Sequence, residues 1–595
     1  MHEASATNEE SIPRDAPPTA HPILSGKIAL AGIFIAVCTA VTFFLAPALV
    51  RPETGTKLVT SDSFSYAVFS FRMNVIRTGV LLSVWLLVPL FDLVAEFFNT
   101  RWRAAYTVGA LLAACGFLSA FIIHFGNRQF GAWDFGVLID SGWRQILGQR
   151  PYTDFVSPLP PGFNLGIKYA FQLFGLNWNA QLYFTATFAS ASFLWAYWLL
   201  RGLTGSCVAS FCMVFAIECA VVLPLCFWWY NNSVSIAATL FFLSCLFYAK
   251  QPNSSPGQLS YFLSLTMLAF MKPNIAGLAA ICGIIFLIVS MRHRRRLTFL
   301  TLGAAIATFL VMRFSSISIA AMIASYRAVA IERGGFSRFG LIGMTRLGKL
   351  ELLGWTLMVA APLFSLLLPM WKQLQDRRWH TVTLYLFLST ALPITLYGMA
   401  TDNEIKEVEC GVLIAVGAFI AFGLKLSGPN LRRFYIAMVF TVAVSGIYMG
   451  ATRIRVLGIG PHQFFEWRDG NVPVANKFFK DTYASPLMKN VIQQVEAAKS
   501  VNQGPFFFGP RIEFAYAVVG VPSPRHLPLF WQPGTSFARR DEPKMIDSWK
   551  RHKFNTLIFL KSDYTFYPAA LLSTINNEYQ EDDNYPDITV YHARQ

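Results

Sequence analysis

Residues 259–291 read LSYFLSLTMLAFMKPNIAGLAAICGIIFLIVSM, and the way this run divides decides the fold. As a single helix its 33 residues would extend about 50 Å, while the hydrocarbon layer of a bilayer is about 30 Å thick. Met271-Lys272-Pro273-Asn274 interrupts the run, and proline disfavours helix at the residue before it. The run therefore divides into two spans. The basic clusters Arg101/Arg103, Arg201, Arg292-His293-Arg294-Arg295-Arg296, Lys372/Arg377/Arg378 and Lys425/Arg432/Arg433 then all fall on one side, which the positive-inside rule makes cytoplasmic. Counting back puts the N-terminus inside; counting forward puts the C-terminal tail outside.

Further apolar runs lie near 28–48, 75–97, 105–124, 180–200, 206–226, 232–249, 298–313, 353–371, 381–399, 410–424 and 434–450. With the divided run they make about thirteen spans. The expected fold is thus a polytopic α-helical membrane domain over 27–450. A disordered, Pro- and Ser-rich segment (1–26) precedes it and a small extracytoplasmic α/β domain (451–595) follows. Composition agrees: 54% of residues are hydrophobic and only 14% charged, against about 25% charged in soluble domains. The tail differs, with 17 Lys+Arg and 14 Asp+Glu in its 145 residues. The net charge of +16 comes mostly from the membrane part and reports orientation, so no nucleic-acid partner is expected. The nine cysteines all lie in or beside apolar runs, with no disulfide framework or zinc spacing.

Two long outer loops, about 125–179 and 314–352, set the chain apart from a transporter bundle with short connections. In the first, Asp134 opens a stretch in which Phe135, Leu138, Ile139 and Ile146 repeat at helical spacing. Gly148 and Pro151 follow as stop signals. The spacing predicts an amphipathic helix of about 13 residues, too short to span and expected in the interface plane. Pro151-Tyr152-Thr153-Asp154-Phe155 and Pro160-Pro161 come next. The second loop is basic on the outer side, with Arg313, Arg327, Arg333, Arg338, Arg346 and Lys349 against Glu332 and Glu351. Such a loop suits an anionic substrate, and equally suits lipid headgroups.

The ordered string of Asp134, Gly148, Pro151–Phe155 and Pro160-Pro161 resembles the first extracytoplasmic loop of GT-C superfamily membrane glycosyltransferases, the group of protein O-mannosyltransferases and aminoarabinose transferases. Trp229-Tyr230-Asn231 at the outer end of a span and the Lys272-Pro273-Asn274 break are similar to features of that group. The chain departs from it in having Phe135 where many members carry a second acidic residue, in lacking Lys or Arg just before Pro160, and in two extra leading spans. The resemblance implies sugar transfer from a polyprenyl-phosphate-linked donor to an acceptor hydroxyl of a glycan, lipid or protein, with inversion, at the outer face of a bacterial inner membrane.

That reaction needs a base for the acceptor's proton, and Asp134 matches the motif position. Asp134 can equally cap the helix it opens, and the two roles can coexist. Asp140, six residues on, faces another way and is expected to be solvated. Asp154 is read either as a second acidic group for acceptor or metal or as a turn former. A divalent cation stays an open option, with the metal ligands unknown. The leaving lipid phosphate needs fixed cations, for which Lys272, Arg327, Arg333, Arg338 and Arg346 are the candidates. Arg144, Arg150 and Lys168 are expected to face the surface. Tyr152, Trp229, Tyr230 and Asn231 are read as shaping the site, although aromatic residues favour membrane interfaces in any case.

In the tail, helices are predicted at 486–500, 511–519, 543–552 and 568–579, and strands at 506–508, 556–560 and 587–591. Pro524–Trp531 is read as a packing segment rather than an acceptor loop. The competing functional class is a transporter or flippase for a lipid-linked or anionic solute. It predicts paired broken helices in inverted repeats, and the sequence has one break without a counterpart.

Overall fold

The computed structural model describes residues 37, 41, 100–128, 130, 134–204, scattered positions of 207–228, 230–271, 273–290, 294–333, 472–534, 536–561 and 569–594. The leading segment, the runs near 28–48 and 75–97, most of 206–226, all runs from 353 to 450, and Trp229, Lys272, Arg338 and Arg346 lie outside these residues.

Within them, six predicted runs are helices: α1 (Thr100–Gly126), α4 (Trp178–Thr204), α5 (Tyr230–Lys250), α6 (Ser255–Phe270), α7 (Pro273–Ser290) and α8 (Arg294–Phe314). Between them come the shorter α2 (Asp134–Ile146) and α3 (Pro161–Phe174), and α9 (Ile319–Arg333) follows α8. Three segments are long and apolar enough to cross a membrane: Thr107–Gly126, Ser233–Lys250 and Arg295–Phe314. The middle one is the centre of the bundle, whereas the other two expose most of their surface, as lipid-facing helices do. α5 packs against α4, α6 and α7, and α6 against α8. Hydroxyl contacts join these helices where the apolar effect between them is weak. Trp195 Nε1 donates to Ser260 Oγ at 2.7 Å, Ser244 and Ser260 hydroxyls meet at 2.8 Å, and Tyr261 and Thr301 at 2.9 Å.

The division of 259–291 is as the proline predicts. Ser254 caps α6, accepting from the Gly257 amide at 3.3 Å; α6 ends at Phe270, and α7 starts on Pro273. The two helices run in opposite senses. At one end of the bundle Lys250 donates to the Gly202 and Leu203 carbonyls, and Arg296 donates to Asn253 Oδ1 at 2.9 Å. At the other end the Phe270 carbonyl lies so close to Gly162 that a Cβ there would stand 2.8 Å from it. The chain passes the loop end at Phe270 and returns to the basic end by Arg296.

The C-terminal unit sits at the loop end. Val472–Pro473 (β1) pairs antiparallel with Tyr483–Ala484 (β2). Then come α10 (Pro486–Val501), β3 (Phe506–Phe508), α11 (Ala515–Val518), α12 (Glu542–Arg551), β4 (Thr556–Leu560), α13 (Ala569–Glu578), β5 (Tyr579–Asp582) and β6 (Ile588–Ala593). The sheet order is β3-β4-β6-β5, with β3 and β4 parallel and the other pairs antiparallel. Two elements differ from expectation. The helix at 511–519 shortens to α11, because Arg511 takes a left-handed conformation (φ 77°) that breaks it. β5 was not expected: its sequence, Tyr-Gln-Glu-Asp, has no apolar alternation, because it is an edge strand whose polar side chains face water.

This unit is not a separate body on a tether. Trp178 donates its backbone N–H to the Phe478 carbonyl (2.9 Å) and its indole N–H to the Gly126 carbonyl (3.1 Å), and the Tyr483 N–H reaches the Asn127 carbonyl (2.8 Å). Phe130, Phe135, Trp178, Phe479 and Phe514 form one aromatic cluster across the junction. Its ring centroids lie 4.4–6.3 Å apart, in the range where aromatic pairs attract beyond their area burial.

Candidate functional site

α2 begins at Asp134, ends at Ile146 and is followed by Gly148 with φ 80°, as predicted. Its surroundings are not as predicted. It does not lie with a polar face in water: residues 135–142 are all buried. α3 covers one side, where a Cβ on Gly142 would clash with Phe171 and Ile167. The C-terminal unit covers the other, where a Cβ on Gly136 would stand 3.3 Å from Glu513 Oε2 and 3.5 Å from the Arg511 carbonyl.

Two expectations about this helix are corrected. Asp140 is not solvated but fully buried, and Arg144 does not face the surface. Arg144 Nε donates to Asp140 Oδ2 at 2.7 Å and Nη1 to the Pro524 carbonyl at 2.5 Å, while Ser523 Oγ donates to Asp140 Oδ1 at 2.5 Å. Gln149 donates to the Ser523 carbonyl (2.7 Å) and Trp143 to the Val521 carbonyl (2.9 Å). The polar stripe that reads as solvated from local spacing is thus covered by residues almost 400 positions downstream, which no helical period reveals.

The stretch after α2 is gripped from the same side. The His526 N–H donates to the Asp154 carbonyl (2.6 Å) and the Leu529 N–H to the Val156 carbonyl (2.9 Å), so Pro524–Trp531 packs as expected. Asp154 is a turn former here: its carboxylate accepts the Arg150 backbone N–H at 2.8 Å and its guanidinium at 3.3 Å. Partial burial works against its ionisation, but the bonds from Arg150 outweigh this and hold the carboxyl below its usual range. Arg150 is exposed, as expected. The oxygens of Asp140 and Asp154 are thus taken by cations and hydroxyls. Among the described residues no group of three or more His, Cys, Asp or Glu side chains comes together. Each carboxylate is held by an arginine four residues away in sequence.

Glu513 is a site residue the sequence did not reveal. It is buried against α2, and its Oε2 has no hydrogen-bond partner among the described residues. Burial holds its carboxyl well above the usual range, and the nearby Asp140 charge acts in the same direction. A carboxyl whose pKa rises on folding stabilises the fold fully below its unfolded pKa of about 4.3 and loses that contribution as pH rises towards the folded value. Glu513→Gln cannot take part in this, so its melting temperature relative to the parent should climb between pH 5 and pH 8. A constant difference across that range would show that Glu513 titrates normally.

At the other side of the loop, Tyr152 is buried with φ 65°. Its hydroxyl donates to the Leu159 carbonyl at 2.5 Å and accepts from Asn164 Nδ2 at 3.1 Å. Tyr326 of α9 donates to the same carbonyl at 3.0 Å, with its oxygen 3.1 Å from that of Tyr152. The structure therefore brings the first outer loop against the helix that carries Arg327, which is exposed, and Arg333. Tyr230 and Asn231 are the first residues of α5. Just before them Trp228, not singled out in the sequence, packs on Phe163 of α3 and on Phe184 and Phe188 of α4. Asn164 had a weak signal in the sequence, as an amide inside the mostly apolar run that follows Pro161.

No protein-family model matches the sequence, and no curated protein matches it. Among solved structures the chain is similar to the crystal structure of ArnT from Cupriavidus metallidurans bound to undecaprenyl phosphate, at 12% identity and a TM-score of 0.46, over 83% of this chain and 98% of that one.

Proposed function

We propose that the chain is an integral membrane glycosyltransferase of the GT-C type. It would move a hexosyl or pentosyl group from a polyprenyl-phosphate-linked donor to an acceptor hydroxyl at the outer face of a bacterial inner membrane. The observation that carries the reading is the junction at one end of the bundle. There the loop opened by Asp134 is joined to a basic helix on one side and to a folded C-terminal unit on the other. A transport path has no need of such a knot.

In this reading the acceptor oxygen forms a bond to the sugar's anomeric carbon from the face opposite the phosphate, and the bond from that carbon to the phosphate oxygen breaks. The phosphate oxygen keeps the electron pair, and the phosphate leaves still esterified to its lipid. The acceptor's proton passes to Asp134 in the transition state, and configuration inverts. Charge growing on the departing phosphate is met by Arg327, Arg333, Arg338, Arg346 and Lys272. Tyr152 packs on Leu165, Met312 and Ile317, and Trp229, Tyr230 and Asn231 are assigned to shaping the site. In the same reading the N-terminus is cytoplasmic and residues 451–595 are extracytoplasmic; the position of Arg296 at the end opposite the loops supports it.

Sealed membrane vesicles test reaction and sidedness together. With a polyprenyl-phosphate sugar and an acceptor extract on the outside, right-side-out vesicles should release polyprenyl phosphate in step with glycosylated acceptor, and inverted vesicles should not. Passage of an intact labelled donor across the bilayer, without release, would establish the flippase reading instead.

A further inference from the structure

A basic surface gathers where the stretch after α2 meets the C-terminal unit. Arg150, Arg525, His526 and Arg551 are exposed there, and His552 is half-buried. Hydrogen bonds to the backbone hold the three segments together. The His526 N–H donates to the Asp154 carbonyl at 2.6 Å, and His552 Nε2, just past the end of α12, donates to the Arg525 carbonyl at 2.8 Å. Clasped from both sides, His526 takes a left-handed conformation (φ 60°), which is uncommon for a residue with a side chain. The charges lie close enough to act on one another. The pKa of His552 is held below its usual range, first by burial and then, against its bond to the Arg525 carbonyl, by His526, Arg144 and Arg551. Against partial burial, the bonds from Arg150 and the nearby Arg525 charge hold Asp154 low.

Among the described residues these cations are left with little counter-charge. Arg150 already holds the nearby Asp154. Arg525 and Arg551 form no ion pair with a described residue, and neither does Asp547, one turn before Arg551 on α12. The unit's acids gather elsewhere: residues 578–587 carry five acidic side chains and no basic one. The negative end of a helix accounts for Arg551 as the last residue of α12, but Arg150 and Arg525 lie on no helix. A lone phosphate is held by donors that converge on it. An exposed array drawn from three segments instead matches acidic groups repeated along a chain, through complementary potential over a surface.

We propose that this surface docks an anionic glycan, a polysaccharide with carboxylates repeated along it, and that Arg525 and Arg551 recognise its charge. Calling that glycan the acceptor rests on the glycosyltransferase reading, in which the C-terminal unit stands at the outer face.

The test is equilibrium binding of an oligogalacturonate to the full chain in nanodiscs of neutral lipid, beside its methyl-esterified form, which keeps the chain and removes the charge. The acid form should bind more tightly by about 10-fold or more at low salt, and the difference should shrink as salt is added. Replacing both arginines, Arg525→Gln with Arg551→Gln, should weaken binding of the acid form about 3- to 20-fold and leave the esterified form unchanged. Both side chains are exposed, so the protein should fold. Lys480→Gln, an equally exposed cation between β1 and β2, should have no effect. In sugar transfer the acid form should be the better acceptor, and the double variant should raise acceptor KM with donor KM unchanged. Equal binding of the two forms, or parent-like binding by the double variant, would overturn the proposal. Hydrogen exchange within 524–526 that slows on moving from neutral to anionic nanodiscs, with no slowing by the oligosaccharide, would give the surface to lipid headgroups instead. Charge-selective binding with no release of polyprenyl phosphate on any acceptor would keep the docking surface and defeat the transferase reading; transfer to both forms at equal rates would do the reverse.

Discussion

An Asp134→Asn protein should fold and insert normally yet transfer sugar about 10²–10⁴-fold more slowly, the usual worth of a positioned general base. The substitution separates the two roles open to this residue. Asp134 is the first residue of α2, and asparagine serves a helix start about as well as aspartate. What asparagine gives up there is a favourable contact with the helix dipole, roughly 0.3–1 kcal/mol, too little to unfold a helix buried along residues 135–142. If Asp134 only starts the helix, Asn should leave turnover nearly intact. If it takes the acceptor's proton, Asn should abolish most of it, with donor binding retained. The measurement is the initial rate at saturating donor, beside gel filtration and thermal melting of the same preparation. A carboxylate control must come from elsewhere than α2, since Asp140 is buried and paired; Asp583→Asn, on an exposed turn after β5, should change nothing. Near-normal transfer by Asp134→Asn would remove the catalytic assignment and the strongest residue-level link to the proposed reaction.

What could be read from the sequence divides by the range of the interactions involved. The spans between 105 and 313, that near 206–226 apart, the break at Pro273, the 13-residue α2 with Gly148 behind it and most of the C-terminal elements are set by local signals. Those signals are apolar period, proline stereochemistry and a glycine at positive φ. The partners of the polar residues were not legible. Asp140 and Arg144 sit four apart, a spacing as common on solvated helices as on buried ones, and the residues that bury them are Ser523 and Pro524. Asp154 was read as a turn former or as a second site acid; its turn partner is Arg150, four residues earlier rather than the adjacent Thr153. The Leu159 carbonyl, which joins the two outer loops, has no side-chain signature at all: a backbone acceptor left over by two prolines becomes visible only when Tyr326 is brought to it. The helical character of 319–333 is not legible for a related reason: its basic residues mark it as a loop, while its apolar residues dock on the first outer loop rather than form a span.

The ion pair between α2 and the C-terminal unit should give the second large effect. Arg144→Met removes a cation whose side chain is 2% exposed and leaves the fully buried Asp140 with Ser523 as its remaining partner and the Pro524 carbonyl without its donor. Breaking a buried pair from one side costs about 3–5 kcal/mol, because a charge is stranded away from water. The loss should appear as a lower melting temperature, faster proteolysis within 521–529, and reduced transfer, since the helix that opens on Asp134 loses the surface that holds it. Replacing both partners, Asp140→Leu with Arg144→Met, strands no charge and should recover most of the stability, as buried pairs exchanged for apolar residues often do. pH gives an independent check. Burial already raises the Asp140 carboxyl above its usual range in spite of Arg144, and without the cation the folded-state value rises further. Its stabilising share is then present in full below the unfolded pKa of about 3.9 and lost as pH rises through the folded one. The Arg144→Met deficit should therefore be larger at pH 8 than at pH 5, while the double variant shows no such slope. A single variant within about 0.5 kcal/mol of the parent, the range of ordinary surface substitutions, would mean that the pair does not hold the two parts together. A double variant as damaged as the single one would assign the loss to packing of the arginine side chain rather than to its charge.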